Sequence, residues 1–589
     1  MYKKLITRYL QILLSIIYVN TLNAQAKIHP SVIAAFQTHQ RTEIIVVMRQ
    51  QADLQPAQLL VTKAEKGAFI FQLLRGLAER SQKNIIKYLY AQNVDFHAFW
   101  LVNALSLTAD EALVKQLANR EDVVEIINNP HTINALPQPD INVAIPETFS
   151  TTWGIRRIGA DSVWTLGYRG QGVVIGGSDT GYDWTHPALK KKYRGWNETT
   201  QTADHNYNWF DAIYPDSTTA TNPCGTHTAA PCDDNRHGTH TMGTMVGSYK
   251  ITTDSIATDS VAIGVAPNAR WIGARNMDRG NGTLTRYIAC WEWFVAPTNV
   301  EGKSPNPLLA PHVINNSWYC SPGEGCNSSN FNVMNAALNA TRAAGIVVVV
   351  SAGNAGTNCG SFPGPPAFLE KAFSIGATRQ DDTIAGFSSR GPVTNDSSGR
   401  MKPNVSAPGV GVISSVPQGG YASFSGTSMS GPHVAGVVAL MISANPQLAG
   451  QVDTIERIIE LTAKPMKTTQ DCGISGQNVP NNTYGWGRID AVAAVKKGLL
   501  YRPRRAGDPR SIIVYPNPFE SEIRLDTEGV EGETIISIFN MNGQLMYSNT
   551  LYFREKQTAI ISLKHLSTGI YVYKIQNKNI NLTGKIVKI

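Results

Sequence analysis

Five short segments between residues 172 and 378 are rich in apolar, strand-forming residues, and helical patterns lie between several of them. Strands that are apolar on both faces need covering on both faces, so this order predicts an α/β fold with a parallel sheet between helices. Such sheets bind ligands at the carboxyl ends of their strands, where Asp179 and Asn354 fall. The segments are GVVIGGSD (172–179), ARWIGARNM (269–277), HVINNSW (312–318), GIVVVVSAGN (345–354) and AFSIGAT (372–378).

The N-terminus has the layout of a secretory signal peptide. Lysines and an arginine precede an apolar run at 9–19, and small residues follow at Ala24 and Ala26. The run is too short to cross about 30 Å of hydrocarbon, and no later stretch is long and apolar enough. Residues 1–26 are therefore expected to be removed on export, which leaves a soluble protein.

Two further regions flank the predicted sheet domain, because 589 residues exceed what a single core serves. Residues 27–136 give the order β-α-β-α-β, with strand patterns at 43–48 and 96–108, a helix over 63–92 and VVEIINN at the end, which predicts a small α+β domain. Residues 512–589 give short alternating runs separated by turn signals such as Asn542-Gly543. They predict an antiparallel β-sandwich joined by a basic linker at 503–511.

Charge and cysteine content narrow the function classes. The net charge is +8 and the pI about 8.9, but no lysine/arginine block or aromatic-basic stripe suggests nucleic-acid binding. Seven cysteines leave at least one unpaired, and Cys290, inside a helical pattern, is expected to be free and buried. Cys224 with Cys232 and Cys320 with Cys326 are near enough to pair, although spacing does not fix the connectivity.

Three segments carry the chemistry: SDTG at 178–181, HGTH at 237–240 and GTSMSGPH at 426–433. A serine hydroxyl is a weak nucleophile unless a base takes its proton, and that base works best when a carboxylate orients it. The segments supply Asp179, His237 and Ser428. Ser428 stands where a helix begins, so its backbone N–H points to where negative charge would develop.

Other interpretations of these segments are weaker. An aspartic protease needs two carboxylates sharing a proton, and no second Asp-Thr-Gly or Asp-Ser-Gly occurs. A zinc pair at HGTH, with Asp233 and Asp234 just before it, lacks a third ligand and an HExxH motif, so no metal site is predicted. His240 is then a structural helix residue, and His433 packs near Ser428.

The motifs together resemble subtilisin-like serine proteases of the bacillopeptidase F type. The resemblance implies that Asp179 orients, His237 is the general base and acid, and Ser428 is the nucleophile. It also implies that Asn354 donates to the oxyanion, and that a strand through 316–318 pairs with substrate, where Trp318 narrows or floors a subsite beside Asn316 and Ser317. The segments that carry it are GVVIGGSDTG, HGTHTMGTMVG, VAPNARWIGARNMDRGNGT, VINNSW, VVVVSAGN, FSSRGP, KPNVSAPG and SFSGTSMSGPHVAG.

The resemblance extends to the flanking regions. Residues 27–136 resemble a ferredoxin-like inhibitory propeptide ahead of a peptidase domain at 137–502. Residues 512–589, with VYPNPF and LSTGIYVYKI, resemble the sorting domain of the type IX secretion system. The implied partners are protein substrates, the chain's own propeptide and the secretion machinery. The implied location is extracellular or on the cell surface, after passage through the periplasm.

The chain also departs from the family pattern. Ala188 stands where many members place an acidic calcium ligand, so calcium could bind only through oxygens elsewhere, and no cofactor is needed for the chemistry. Arg236 replaces a small residue before His237, and residues 199–232 look like an insertion. Two other functions stay open: an inactive surface adhesin on this scaffold, and an amidase or esterase using the same machinery.

Overall fold

A computed structural model describes residues 26–129, 136, 139–143, 151–214, 221–253, 256–321, 326, 331–502, 512–527, 530–554, 557–578 and 580–588. Residues 1–25 of the predicted signal peptide and all of the predicted linker at 503–511 lie outside the described residues. The chain forms two compact units, one of residues up to Ala52 together with Gly67–Tyr501, the other of Asp53–Lys66 with Arg502–Ile589. Within the described ranges, no helix has the length and apolar character that crossing a membrane requires.

The N-terminal region folds around a four-stranded antiparallel sheet in the order β2-β3-β1-β4. After a short first helix, α1, the elements follow in the order β-α-α-β-β-α-β, a ferredoxin-like arrangement. The strands are β1 (Arg41–Met48), β2 (Phe96–Phe99), β3 (Ala104–Asp110) and β4 (Val123–Asn128), and the helices are α1 (Pro30–Ala35), α2 (Lys63–Ser81), α3 (Lys83–Ala91) and α4 (Glu111–Ala118).

Two predictions for this region are wrong in detail. The strand expected over 96–108 is a hairpin, because residues 100–103 form a turn in which Asn103 adopts a positive φ of 44°. The helix expected over 63–92 divides after Ser81. There the buried Gln82 side chain donates to Phe99 O and to Asn103 Oδ1, both at 2.9 Å.

The predicted parallel sheet is confirmed, with seven strands in the order β16-β15-β14-β13-β6-β12-β9, all paired in parallel. The strands from here to the end of this part of the chain are β5 (Pro139–Asn142), β6 (Val174–Asp179), β7 (Trp196–Asn197), β8 (Thr202–Ala203), β9 (Trp209–Asp211), β10 (Ser248–Thr253), β11 (Ile256–Ala262), β12 (Arg270–Arg275), β13 (Val313–Asn316), β14 (Val347–Ser351), β15 (Phe373–Thr378), β16 (Val405–Pro408), β17 (Val412–Val416) and β18 (Gly420–Phe424).

Helices flank this sheet. α10 contacts strands β13 to β16 and packs on α7 and α12. α8 and α9 contact each other; α8 also contacts β9, and α9 also contacts β14. Residues 427–442 of α10 are all buried, so this helix forms the centre of the main core. The helices are α5 (Trp153–Arg157), α6 (Ala160–Thr165), α7 (His237–Val246), α8 (Leu284–Val295), α9 (Phe331–Ala343), α10 (Thr427–Ala444), α11 (Val452–Thr462) and α12 (Ala491–Gly498).

A small antiparallel sheet, β17-β18-β5, lies beside the start of α10. Its outer strand, β5, lies within the proline-containing stretch LPQPDINVAIPE (136–147), whose composition predicts a linker and not a strand. β18 leads into α10 after only two residues. The segment ahead of the main sheet is therefore held next to the element that carries Ser428.

The C-terminal region is β-rich, as predicted, with sheets in the orders β19-β20-β23 and β22-β21-β24-β25. Its apolar side chains, among them Phe519, Ile538 and Ile575, form a separate core. The Asn542-Gly543 signal marks the turn between β21 and β22. The strands are β19 (Ile512–Tyr515), β20 (Glu522–Thr527), β21 (Gly532–Asn540), β22 (Leu545–Phe553), β23 (Gln557–Ser562), β24 (Gly569–Asn577) and β25 (Ile580–Lys588).

Three disulfides form, Cys224–Cys232, Cys320–Cys326 and Cys359–Cys472. Cys290 is free and buried, as predicted. The third pair joins residues 113 apart in sequence, which is why spacing alone left it open.

Candidate active site

Asp179 and His237 meet at the carboxyl end of β6. Asp179 is the last residue of that strand and His237 the first of α7, and His237 Nδ1 donates to Asp179 Oδ1 at 2.7 Å. Both side chains are buried, and Thr180 N also donates to Asp179 Oδ1 at 2.8 Å. Because Nδ1 is engaged, only Nε2 remains for chemistry, and this buried atom has no hydrogen-bond partner among the described residues.

Asp233 fixes the start of α7. Its carboxylate is buried and accepts hydrogen bonds from Thr180 Oγ1, from Arg236 N and from both the N–H and hydroxyl of Thr239 at 2.6–3.0 Å. Burial raises the pKa of Asp233, and these donors oppose that rise. Since Thr180 follows Asp179 directly, Asp233 ties the strand that carries Asp179 to the helix that carries His237. Sequence reasoning considered Asp233 only as part of a zinc site, which it rejected, and assigned it no other role.

Close approach of backbone at Gly238 completes this junction. A Cβ at Gly238 would lie 2.0 Å from Gly181 O and 3.2 Å from the Cβ of Asp179. Any larger residue would push α7 away from the end of β6. The glycine of the HGTH motif is therefore required by packing.

Ser428 is the second residue of α10 and is only 3% exposed. Its Oγ donates to Ser317 O at 3.2 Å, while Ser317 Oγ donates to Ser428 O at 2.8 Å. These reciprocal bonds hold the helix start against the chain that follows β13. Ser428 Oγ and His237 Nε2 share no hydrogen bond in this state.

Asn354 is held with its amide group oriented. Its Oδ1 accepts from Thr427 N and from Thr427 Oγ1, both at 2.9 Å. A backbone N–H can only donate, so the oxygen must face Thr427 and the Nδ2 donors must face away from it. The side chain is exposed, so these donors are available beside Ser428.

The predicted substrate-binding residues divide in two. The Asn316 side chain is buried, accepts from Trp291 Nε1 at 2.8 Å and donates to Val349 O at 3.1 Å, so it serves the interior. Trp318 is 2% exposed and stacks on Tyr287 with ring centroids 3.8 Å apart. The indole therefore fills the space beside the cleft with a rigid aromatic pair.

A cavity of about 30 Å³ lies next to Ser428. Leu136, from the stretch ahead of the main sheet, contributes to its wall. The cavity is too small for a large side chain while this segment is present. Its other lining residues include Met277, Gly280, Tyr287, Ser317, Trp318, Gly353, Asn354 and Thr427.

The other two histidines of the HGTH and GTSMSGPH motifs, His240 and His433, bond to backbone carbonyl groups in the interior. His240 Nε2 lies 3.0 Å from Val412 O, and burial lowers the pKa of His240 to about 3. His433 Nδ1 lies 2.8 Å from Met429 O, and burial lowers its pKa to about 4. Both imidazoles are therefore neutral, and His237 and His240 have different partners.

Arg275, at the end of β12, connects described residues of the 199–232 segment to the parallel sheet. This buried guanidinium contacts Asp211 Oδ2 at 2.6 Å, and Asn222 Nδ2 donates to Asp234 Oδ2 at 2.6 Å and contacts Asp278. Burial raises the pKa of Asp234 to about 7. Because Asp278 adjoins Met277 of the cavity wall, the segment braces one edge of the cleft.

Comparison with known proteins agrees with this architecture. Residues 170–487 match the subtilase family, and residues 513–589 match the secretion system C-terminal sorting domain. The chain belongs to the subtilase family. The predictions of the subtilase family and of a type IX sorting domain are confirmed, and the sorting domain marks a secreted or cell-surface protein.

Three relatives each align with more than half of this chain. Bacillopeptidase F of Bacillus subtilis (strain 168) is 34% identical over 506 residues, which cover 81% of this chain but 33% of that protein. The chain thus spans about a third of that relative's length. The thermophilic serine proteinase of Bacillus sp. (strain AK1) is 31% identical over 67% of this chain and 78% of its own. Subtilisin E of Bacillus subtilis (strain 168) is 29% identical over 59% and 72%.

Proposed function

We propose that this subtilase hydrolyses peptide bonds of proteins through an acyl-enzyme, with Asp179, His237 and Ser428 as its triad. The buried 2.7 Å hydrogen bond from His237 Nδ1 to Asp179 Oδ1 carries this proposal. It fixes the imidazole tautomer that leaves Nε2 able to accept a proton. This buried Nε2 has no hydrogen-bond partner in the part of the chain that the structure describes, so it is available to accept the proton.

In the first half-reaction Ser428 Oγ leaves Ser317 O, attacks the substrate carbonyl carbon and gives its proton to His237 Nε2. The negative charge that forms on the carbonyl oxygen is met by Asn354 Nδ2 and by the backbone N–H of Ser428. Collapse of the tetrahedral intermediate breaks the C–N bond, and the leaving amine takes the proton from Nε2. Water then repeats the sequence on the ester and frees Ser428.

We also infer that the chain is made as a self-inhibited precursor. The N-terminal α+β domain is bound to α8, since Glu292 Oε2 accepts from Trp100 N and Leu101 N, both at 2.8 Å. The chain then leads to Leu136 at the cavity and to β5 on β18. The segment through Leu136 and β5 fills space that a substrate would need, so the cleft is covered until this segment is cut. The sorting domain then engages the secretion machinery.

The kinetic test compares wild type with Ser428→Ala on a protein substrate. We expect kcat to fall about 10⁶-fold, the scale of losing a triad serine. The matched control is Ser430→Ala, because Ser430 is buried two residues along α10 and donates to Ala407 O at 3.1 Å. Equal activity of wild type and Ser428→Ala would exclude this mechanism. Turnover of small esters without protein cleavage would favour an esterase, and an inactive wild type would favour an adhesin.

A further inference from the structure

We propose that the leaving-group side of the cleft selects acidic residues, read by the hydroxyls of Ser423 and Ser425 and by the guanidinium of Arg236. The inference rests on the proposed peptidase function and concerns its substrate class. It assigns a role to Arg236, which departs from the small residue usual before the histidine motif.

The course of the chain from Leu136 into β5 identifies the leaving-group side of the cleft. Leu136 lines the cavity beside Ser428, and β5 follows it along the chain. β5 pairs antiparallel with β18, with Pro139 opposite Phe424 and Asn142 opposite Ala422, which is two residues farther along the chain from Ser428 than Phe424 is. Residues 140–142 therefore lie beyond the point that Ser428 can attack, where the released half of a substrate would lie. The bond to be cut falls between Leu136 and Asp140.

The two polar side chains of β5, Asp140 and Asn142, bond to the protein, whereas Ile141 is exposed. Ser425 Oγ donates to Asp140 Oδ2 at 2.7 Å, and Ser423 Oγ lies 3.4 Å from the same oxygen. Arg236 Nη2 donates to Asn142 Oδ1 at 2.6 Å. Ile141, between them, is 64% exposed. The β5–β18 register shifts between Ser423 and Phe424, which leaves Asp140 as an extra residue directed at the two serines. The exposure of Ile141 indicates that its position meets no apolar subsite.

The chemistry of these groups favours carboxylates. Both serine hydroxyls donate to Asp140, and the guanidinium of Arg236, which only donates, faces residue 142. A carboxylate at each of these two positions would therefore accept from the groups that face it. Within the described residues Arg236 pairs with no carboxylate, since its side chain contacts only the neutral amide of Asn142. An acidic residue at that position would turn a neutral contact into a charge-assisted one. A lysine there would be repelled.

The test uses the self-processed enzyme and a set of internally quenched peptides. All of these peptides share one sequence, without proline, on the N-terminal side of the bond to be cut. Sequencing the new N-terminus first places the cut, so that peptide positions can be aligned with residues 140–142. Each position then carries Asp, Asn or Lys in turn, and kcat/KM is measured. The variants are Arg236→Gln and the double variant Ser423→Ala, Ser425→Ala. The readout is the ratio between peptides within each enzyme, which a general loss of activity does not change.

We expect Asp over Asn to raise kcat/KM about fivefold to tenfold at the position of Asp140, and about twofold to fivefold at that of Asn142. Lysine should be poorer than Asn at the latter. Arg236→Gln should abolish the second preference alone, and the serine double variant the first. Exchanging Ile for Thr at the position of Ile141 should matter less than twofold.

Two results would overturn the inference while leaving the peptidase function intact: equal kcat/KM for Asp, Asn and Lys at both positions, or a mature N-terminus beyond Asn142. A wild-type enzyme that cleaves neither these peptides nor any protein contradicts the proposed function itself.

Discussion

Glu292 of α8 accepts a 2.8 Å hydrogen bond from the backbone N–H of Trp100, in the turn between β2 and β3. The Glu292 side chain is partly buried at this contact, and this burial raises its pKa to about 8. One acidic side chain therefore joins the N-terminal domain to the helix that borders the cleft.

This contact predicts slower activation in acid. The pKa of Glu292 is raised in the closed precursor, so its stabilising contribution is fully present below the ordinary carboxyl pKa near 4.5 and is lost as pH rises through about 8. Release of the cut N-terminal domain, followed as the lag before full activity, should be slower at pH 5 than at pH 8.5. Glu292→Gln keeps an acceptor without a charge and should make the lag much less pH-dependent. The same lag at both pH values in wild type would refute the prediction.

Asp233→Asn should reduce activity through the position of His237. The amide would place a donor against backbone N–H groups, so we expect about 1–3 kcal/mol less free energy of unfolding. We also expect a fall in kcat of at least about tenfold with KM little changed, and a changed pH–rate profile. Asp183→Asn is the control, since Asp183 accepts from Gln418 N on a different loop. Loss of stability with an unaltered kcat and pH profile would show that Asp233 is structural only.

Gly238→Ala should nearly abolish activity. The added Cβ would lie 2.0 Å from Gly181 O and must separate the residues that carry Asp179 and His237. Because such a displacement lengthens the Asp179–His237 bond, we expect at least a hundredfold loss in kcat/KM. Gly386→Ala is the matched control, as no atom lies within 4 Å of the added Cβ. Equal activity of the two variants would contradict the packing argument.

The Cys359–Cys472 disulfide should contribute more stability than Cys224–Cys232. The first closes a span of 113 residues and the second one of 8. Loop-closure entropy gives about 4–5 kcal/mol for the longer loop and about 2–3 kcal/mol for the shorter. Replacing each pair by serines and comparing denaturant midpoints checks the order. A larger loss for the shorter loop would be the contrary result.

The sheet and the residues proposed for catalysis can both be predicted from the sequence. The proposed catalytic residues can be identified because each of them lies in a short motif at a strand end or helix start. It misses the roles of Asp233, Arg275 and Glu292, which depend on donors and acceptors brought together by folding. Glu292 meets Trp100 from 192 residues away.

The turn in the N-terminal hairpin was missed for a related reason. Leu101 and Val102 are each 2% exposed, so this turn has the apolar composition of a strand. Asn103 alone signals the reversal of direction, through its positive φ. Burial of a turn thus removes the polar composition by which turns are usually predicted.

The most direct test of the central claim is to map the site of a fluorophosphonate adduct by peptide mass spectrometry, after the wild-type precursor has processed itself. The account predicts a single adduct on Ser428, absent from Ser428→Ala and strongly reduced in His237→Ala, since the probe reacts only with an activated serine. An adduct on another serine, or equal labelling of wild type and Ser428→Ala, would contradict it.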